Sequence, residues 1–287
     1  MACRRSGVRA PVAPPNPAAR ALLAAALMLL LGGCSVAEPS PPKQIAHPSG
    51  PTDVVLRISI SGGLRYPGTT FEWPPTFTLY GDGLVIYSID RPGPTGEPNL
   101  ELRQARVTEE QIAALVQSAL ARGGLANARE RYGDVPIMDD VTTTFEVHAA
   151  GLDKTVAVYA LGYSGPGVPD AAARAAFEEL AERLRGFSDD VAAGNAQDLG
   201  VFEPEAYLVT LDQPFGPMEA NRDWPWEDLH PDAFELDGGH RVRVVTAEQA
   251  AAMANPPQSA PNDFVALAPD GVEYLIRVRP LLPDEAA

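Results

Sequence analysis

The segment GYSGP (162–166) holds the residue types of a nucleophilic hydrolase motif, with a serine two residues after a glycine. In such enzymes the serine lies on a sharp turn between a strand and a helix, and a second glycine lets the turn close. Here Pro166 occupies that last position, and the predicted helix starts several residues later. No parallel sheet is predicted either. We therefore interpret Ser164 as a loop serine.

Metal ligands and paired acids are the next candidates for chemistry. The histidines show neither the spacing of i and i+4 nor a zinc-binding H-E-x-x-H pattern. They are His47, His148, His230 and His240. Asp134, Asp139 and Asp140 could offer oxygens to a hard cation, but the alternation of an EF-hand loop is absent. We expect Asp139 and Asp140 to form a turn. The sequence predicts no catalytic residue, metal site or cofactor.

The stretch NRDWPWEDLHP (221–231) places two tryptophans around a proline in a polar setting. Tryptophan offers a large contact area and is enriched where proteins bind partners. Trp224 and Trp226 are therefore the candidate partner-binding residues. The alternative is that both rings close the core of the C-terminal part, and Trp73 has the same ambiguity.

The N-terminus carries a pattern of its own. Basic residues precede an apolar run, Ala21–Leu31, and no acidic residue occurs before Glu38. Eleven apolar residues are too few for a membrane span, which needs about 20. A basic start, a short apolar run and small residues at its end are typical of a secretory signal. Residues 1–33 are therefore predicted to be a signal peptide.

This signal ends in Leu31-Gly32-Gly33-Cys34, which resembles the lipobox of bacterial lipoproteins. In that family the cysteine thiol is joined to a diacylglycerol, and the chain is cut just before the cysteine. The resemblance implies that Cys34 is lipidated and anchors the protein at the extracytoplasmic face of the membrane. The alternative is an ordinary structural cysteine. A diacylglyceryl group supplies the two chains that stable anchoring requires.

Composition limits the partners. Subtracting the four arginines of residues 1–33 from 22 basic residues leaves 18, against 38 acidic residues, a net charge of −20. Nucleic acid and anionic lipid head groups attract clustered positive charge, so neither is an expected partner. Cys3 and Cys34 are the only cysteines. Because one would be removed and the other lipidated, we expect no disulfide within the chain.

The region after Cys34 is predicted to hold a tether and a first folded module. Residues 34–52 are rich in proline and read as a tether. Residues 53–188 then read as hairpin, helix, hairpin, helix. The signals are alternating strands around the Gly-Asp-Gly turn at 81–83, a capping box from Thr108 to Gln111, and apolar residues at helical spacing. Residues 90–99 read as a loop.

A polar linker (189–204) and a second module (205–287) complete the predicted organisation. Strands are predicted at 206–214, at 240–246 before a helix, and in a hairpin over 264–280. VTEEQIAAL (107–115) and VTAEQAAAM (245–253) are similar, either through convergence on a good capping sequence or through an old duplication. The fold class is α+β: antiparallel sheets with helices packed on one face, in two related modules.

Several segments together resemble a family of uncharacterised bacterial lipoproteins, chiefly actinobacterial. The matching pieces are Pro75–Val85, Asp140–Phe145, Val156–Gly162 and the closing RPLLPDE (279–285). The resemblance covers most of the chain after the signal. It implies architecture and location, and it implies no particular activity.

These observations predict a lipid-anchored, surface-exposed envelope protein that is not an enzyme and has a binding or structural role, with a protein or cell-wall component as its partner. Two alternatives stay open. One is an envelope hydrolase that uses Asp, Glu or Ser on loops. The other is the solute-binding lipoprotein of a transporter, which the lack of repeated βαβ patterns disfavours.

Overall fold

Two sheets with short helices make up the folded part of this computed structural model. The structure describes residues 45–63, 73–92, 98–165, 167–214, 220, 222–253, 259–260 and 264–286. Contacts between residues divide the chain between Pro42 and Lys43, and residues 43–287 form one unit that contains both sheets. The α+β class predicted from the sequence is confirmed.

Sheet 1 has nine strands and forms mainly from residues before 202. Its strands are β1 (Val54–Gly62), β2 (Phe77–Tyr80), β3 (Leu84–Pro92), β4 (Pro98–Arg106), β5 (Arg131–Tyr132), β6 (Val141–Ala149), β7 (Leu152–Tyr159), β8 (Gln197–Val201) and β13 (Ser259–Ala260). The order is β13-β4-β3-β2-β1-β6-β7-β5, and β8 also pairs with β4. All pairs are antiparallel except β5 with β7.

Sheet 2 has six strands and forms from the C-terminal part. Its strands are β9 (Ala206–Asp212), β10 (Arg222–Asp223), β11 (Glu235–Asp237), β12 (His240–Thr246), β14 (Phe264–Leu267) and β15 (Glu273–Pro280). The order is β10-β14-β15-β9-β12-β11, with a parallel pair only between β10 and β14. Because β13 comes from this part of the chain yet pairs with β4, the two predicted modules share a sheet edge.

The helices are short and lie between the strands in sequence. They are α1 (Glu109–Gln117), α2 (Ala171–Arg185), α3 (Phe187–Ala192) and α4 (Ala247–Ala251), together with a π turn (Ser118–Arg122) and 3₁₀ turns at Leu125–Asn127 and Pro231–Ala233. None of the described helices is long and apolar enough to span a bilayer. Ile112 on α1 and Phe177 and Leu180 on α2 are buried against sheet 1.

Apolar side chains collect in three places. The largest core lies between sheet 1 and helices α1 to α3 and includes Phe77, Phe145 and Phe177. A second core lies on one face of sheet 2. A third, small cluster joins Tyr80 and Ile86 of sheet 1 to Phe202 and Leu282, so the C-terminal residues cover part of the other face of sheet 1.

The tight turn predicted at residues 81–83 is present between β2 and β3. The turn between β2 and β3 is closed by Gly83 N–H donating to the Tyr80 carbonyl at 3.0 Å, and Gly83 has a φ of 84°, which glycine adopts without strain. Two differences stand out. The expected loop 90–99 contains the end of β3 and the start of β4, with residues 93–97 outside the described part. The expected linker 189–204 contains the end of α3 and all of β8.

Candidate functional site

Cys34 lies outside the described residues, so its lipidation stays a prediction. The described chain begins at Ile45, whose side chain packs against the main core. The Ala46 carbonyl accepts a hydrogen bond from the Ala150 N–H at 2.7 Å. The His47 ring is 5% exposed and contacts Glu109 at 2.9 Å. Residues 45–48 therefore belong to the folded body, although the sequence places them in the tether.

The two candidate partner-binding tryptophans lie together in the core of sheet 2. Their rings form an edge-to-face pair with centroids 5.4 Å apart. Trp226 is 6% exposed, and its indole N–H donates to the Gln249 carbonyl at 3.0 Å. Trp224 is half-buried and donates to the Leu229 carbonyl at 2.9 Å. A partner-binding role stays a prediction that rests on Trp224, because Trp226 is almost fully covered by its own protein.

The other residues weighed for chemistry include Ser164 and the pair Asp139 and Asp140. Ser164 is exposed in the loop between β7 and α2. Asp140 accepts a hydrogen bond from the Val141 N–H at 2.7 Å, and Asp139 has a φ of 60°, so the pair lies in a bend with a side-chain-to-backbone bond just before β6. No group of three His, Cys, Asp or Glu side chains that could hold a metal ion is present in the part of the chain that the structure describes.

Sheet 2 contains a buried charged cluster that sequence reasoning missed. Asp212 on β9 is 5% exposed and contacts both His240 on β12 and Arg277 on β15. His240 lies directly opposite Asp212 across the strand pair, and Arg277 lies diagonally on the other neighbouring strand. The carboxylate is thus held between two basic groups, an arrangement that stabilises sheet 2 rather than one open to a substrate.

A cavity of about 340 Å³ between α1 and the α2–α3 pair is the best candidate for a binding site. We call it the helix groove and define it by Leu115, Ser118, Arg122, Arg183, Phe187 and Asp190, which line it with Val107, Gln111, Ala114, Asn195 and Ala196. Its size falls at the lower end of the roughly 300–1,000 Å³ typical of small-molecule sites.

One wall of the helix groove is α1 and the π turn that continues it. The Thr108 hydroxyl accepts from the Gln111 N–H at 3.3 Å, and the Gln111 side chain accepts from the Thr108 N–H at 2.7 Å. This capping box fixes the start of α1. At the other end, Gly123 N–H donates to the Ser118 carbonyl at 2.9 Å, the i to i+5 bond of a π turn. Such turns are rare and recur at functional sites.

Gly123 sets how closely the two walls approach. A Cβ atom at this position would lie 2.7 Å from both the Ala119 carbonyl oxygen and a Leu180 methyl group. No side chain fits at that distance, so glycine lets the π turn pack directly on α2. This contact places Arg122 and Arg183 on the same opening, where they also share a smaller hollow of about 130 Å³.

The opposite wall is held by α3. The Phe187 ring is 2% exposed and packs edge-to-face on Phe77 and Tyr87, each with centroids 5.3 Å apart. Asp190, one turn later, accepts from Arg183 at 2.6 Å and from the Asn195 side chain at 3.3 Å. The wall is therefore anchored in the main core at one end and by a charged pair at the rim.

A second hollow, of about 450 Å³, lies beside Phe202 and Leu281 and has a different character. Glu203 and Glu205 line it, together with Thr52 and Gln104. It offers acidic rather than basic groups to a ligand. The helix groove differs from it because two arginines stand at the opening above a floor of apolar side chains.

Sequence reasoning found only one edge of the helix groove. The capping box singled out Gln111. Arg122, Arg183 and Asp190 read as ordinary polar positions on separate helices. Their juxtaposition depends on the packing of the π turn on α2, which no local pattern encodes.

Comparison with protein-family models, curated proteins and solved structures finds no match to this chain. The resemblance to a lipoprotein family accordingly stays a prediction from the sequence.

Proposed function

We propose that this chain is a bacterial lipoprotein, anchored through Cys34 at the extracytoplasmic face of the membrane, whose folded part binds a ligand and does not catalyse a reaction. The observation that carries the proposal is the sequence Leu31-Gly32-Gly33-Cys34 at the end of a short apolar segment. The division between Pro42 and Lys43 supports it, because the folded unit starts shortly after the proposed anchor.

The attachment of residues 45–48 to the body gives the tether a length. Ten residues, 35–44, separate Cys34 in the sequence from Ile45, the first residue that the structure describes. Ten residues in a proline-rich, extended conformation reach about 31 Å at 3.1 Å each. A tether of that length would keep the folded part near the membrane.

Charge keeps the body off the lipid surface at that short range. The chain after the signal has a net charge of −20, and an anionic surface repels it. The two acyl chains of a diacylglyceryl cysteine supply the membrane affinity that the protein surface does not. Attachment and binding are therefore separate tasks in this proposal, the first belonging to Cys34 and the second to the folded part.

The helix groove supports a binding role. Its floor is apolar, and its rim carries charged side chains whose hydrogen bonds brace the wall formed by α2 and α3. Small-molecule sites combine these features: an apolar surface for contact area and a few polar groups for orientation. Ligand binding at this site needs no group activated for proton transfer or nucleophilic attack.

Metabolic labelling tests the anchor. The full chain, Cys34→Ala and Cys3→Ala are produced in a bacterial host that is fed radioactive palmitate. We expect the wild type and Cys3→Ala to carry label, because Cys3 is removed with the signal, and Cys34→Ala to carry none. Equal label in wild type and Cys34→Ala, or an unmodified Cys34 thiol by mass spectrometry, would overturn the proposal.

A further inference from the structure

We propose that the helix groove binds a small organic monoanion, whose apolar body lies over Leu115 and Phe187 and whose carboxylate meets Arg122. This inference rests on the binding role proposed above and names the class of ligand. It is independent of the anchor, because no residue of the helix groove lies near Cys34 in the sequence.

The floor of the helix groove determines which apolar group the ligand carries. Leu115 is 8% exposed, Phe187 2% and Ala196 8%, so each is held in place by the core beneath it. Ala114 is exposed on the same wall and adds a small side chain that leaves room above it. A preformed apolar floor favours a rigid, flat or short-chain hydrocarbon group, because the protein loses little side-chain freedom on binding.

Arg122 is the residue that binds the carboxylate of the ligand. Its guanidinium donates to the Ser118 hydroxyl at 3.0 Å, the one hydrogen bond it makes within the described part of the chain. A guanidinium has five N–H groups arranged to meet a carboxylate through two parallel bonds. Ser118 therefore orients Arg122 while leaving donors for a ligand. Arg122 is exposed and lines the same cavity as the apolar floor, so both can contact one ligand.

Asp190 makes the rim of the helix groove favour a ligand with one negative charge over a ligand with two. It pairs with Arg183 at 2.6 Å, so the rim carries one cation in excess: Arg122 and Arg183 against Asp190. A carboxylate balances that excess. A phosphate monoester, with close to two negative charges at pH 7, would exceed that balance and leave a net negative charge at the rim.

The test uses ligand-observed ¹⁹F NMR on the full chain in lipid nanodiscs. The probes are 3-(4-fluorophenyl)propanoate, its neutral amide, and 2-(4-fluorophenyl)ethyl phosphate, which share one apolar body. We expect saturable binding in the order carboxylate, phosphate, amide, with the amide about tenfold weaker than the carboxylate because it lacks the charge-assisted hydrogen bonds. Absence of binding, or equal affinity for carboxylate and amide, would overturn the inference.

Three variants locate the site. Arg122→Gln is expected to weaken the carboxylate about tenfold and to leave the amide unchanged. Ala114→Trp fills the helix groove from an exposed position and should abolish binding of all three probes. Arg185→Gln is the matched control, an exposed arginine on α2 that does not line the helix groove, and should bind as the wild type does. Binding that survives Ala114→Trp would place it elsewhere and refute the assignment, whatever the palmitate result.

Discussion

Arg57, in the first strand, donates two hydrogen bonds to Asp284 near the C-terminal end, at 2.6 and 2.7 Å. The side chains are 11% and 19% exposed, so the pair is largely shielded from water. Tyr80 donates a third hydrogen bond to the same carboxylate at 2.7 Å, and Leu282, two residues earlier, is fully buried on sheet 1. This contact fastens the segment after β15 to sheet 1.

Removal of the Asp284 carboxylate should destabilise the protein, because it breaks the contact between the C-terminal segment and sheet 1. Asp284→Ala leaves Arg57 and Tyr80 without their shared acceptor in a shielded site, and we expect a loss of about 2–3 kcal/mol in the free energy of unfolding. Urea denaturation followed by circular dichroism measures it. Asp153→Ala is the control, because its side chain is 89% exposed and its loss should cost under about 0.5 kcal/mol. Equal effects of the two substitutions would contradict the role of the contact.

Tyr80 makes the stability of the folded protein fall at alkaline pH. Burial, and then the hydrogen bond to Asp284, raise the pKa of the Tyr80 phenol well above its ordinary value of 10. Above pH 10 the phenol ionises in the unfolded chain but keeps its proton in the folded one. The stability due to this group is complete below pH 10 and then falls by about 1.4 kcal/mol per pH unit.

Tyr80→Phe removes that dependence. We expect the urea midpoints of wild type and variant to run parallel between pH 7 and 9, with the variant lower because it lacks the hydrogen bond to Asp284. Between pH 10 and 11.5 the variant should lose stability less steeply. Identical slopes above pH 10 would show that Tyr80 ionises equally in both states, against the burial found here.

The two helix starts that the sequence predicted best are the two that depend only on neighbouring residues. Thr108 with Gln111 and Thr246 with Gln249 both form complete capping boxes, each directly after a strand of a different sheet. A capping box is a reciprocal pair of bonds within four residues, so its sequence determines its geometry. The same locality explains why the turn at Gly83 could be placed.

Predictions failed where distant partners decide the structure. Asp170 directly precedes α2, but its φ is 57° and its carboxylate contacts Arg129 instead of capping the helix. Residues 197–201 look irregular in isolation and become β8 only because β4 offers them a strand edge. Arg122 and Arg183 meet for the same kind of reason, since their approach depends on a glycine contact between two helices. Local sequence carries none of this information.

Gly123 should tolerate no larger residue. Gly123→Ala brings a methyl group within 2.7 Å of the Ala119 carbonyl and of Leu180, so the π turn and α2 must separate. We expect a loss of about 1–3 kcal/mol in the free energy of unfolding. Gly133→Ala is the matched control, because a Cβ there meets nothing within 4 Å. Thermal unfolding of the two variants compares them directly, and equal midpoints would argue against close packing at Gly123.

Replacing the buried carboxylate of the charged cluster in sheet 2 should cause a large loss of stability. Asp212→Asn removes one charge and leaves His240 and Arg277 buried beside a neutral amide, which we expect to cost about 3–5 kcal/mol. Trp224 and Trp226 lie in the core of the same sheet, so their fluorescence in urea reports its unfolding. Asp232→Asn, at an exposed position, serves as the control. A loss below 1 kcal/mol for Asp212→Asn would mean that the cluster contributes little.

The positions of the two lysines allow the tether to be tested with a protease that cleaves after lysine. Lysine occurs only at positions 43 and 154. Lys154 lies within β7, paired to β6, and its ammonium group donates to the Ala126 carbonyl at 3.3 Å. A protease specific for lysyl bonds should therefore leave it intact in the folded protein. Lys43 lies in the sequence between Cys34 and Ile45, the first residue that the structure describes, so we expect cleavage there to release a fragment beginning at Gln44 from the membrane.

Cell membranes carrying the protein are treated with this protease, and the supernatant is analysed by mass spectrometry. We expect one soluble fragment that starts at Gln44, while the lipidated peptide that starts at Cys34 stays with the membrane. Lys43→Arg should abolish the release, because no other exposed lysyl bond remains. Release from Lys43→Arg membranes without protease would mean that Cys34 does not anchor the chain. Cleavage after Lys154 would mean instead that β7 opens readily, since a strand paired along its length has to unfold before a protease can bind it.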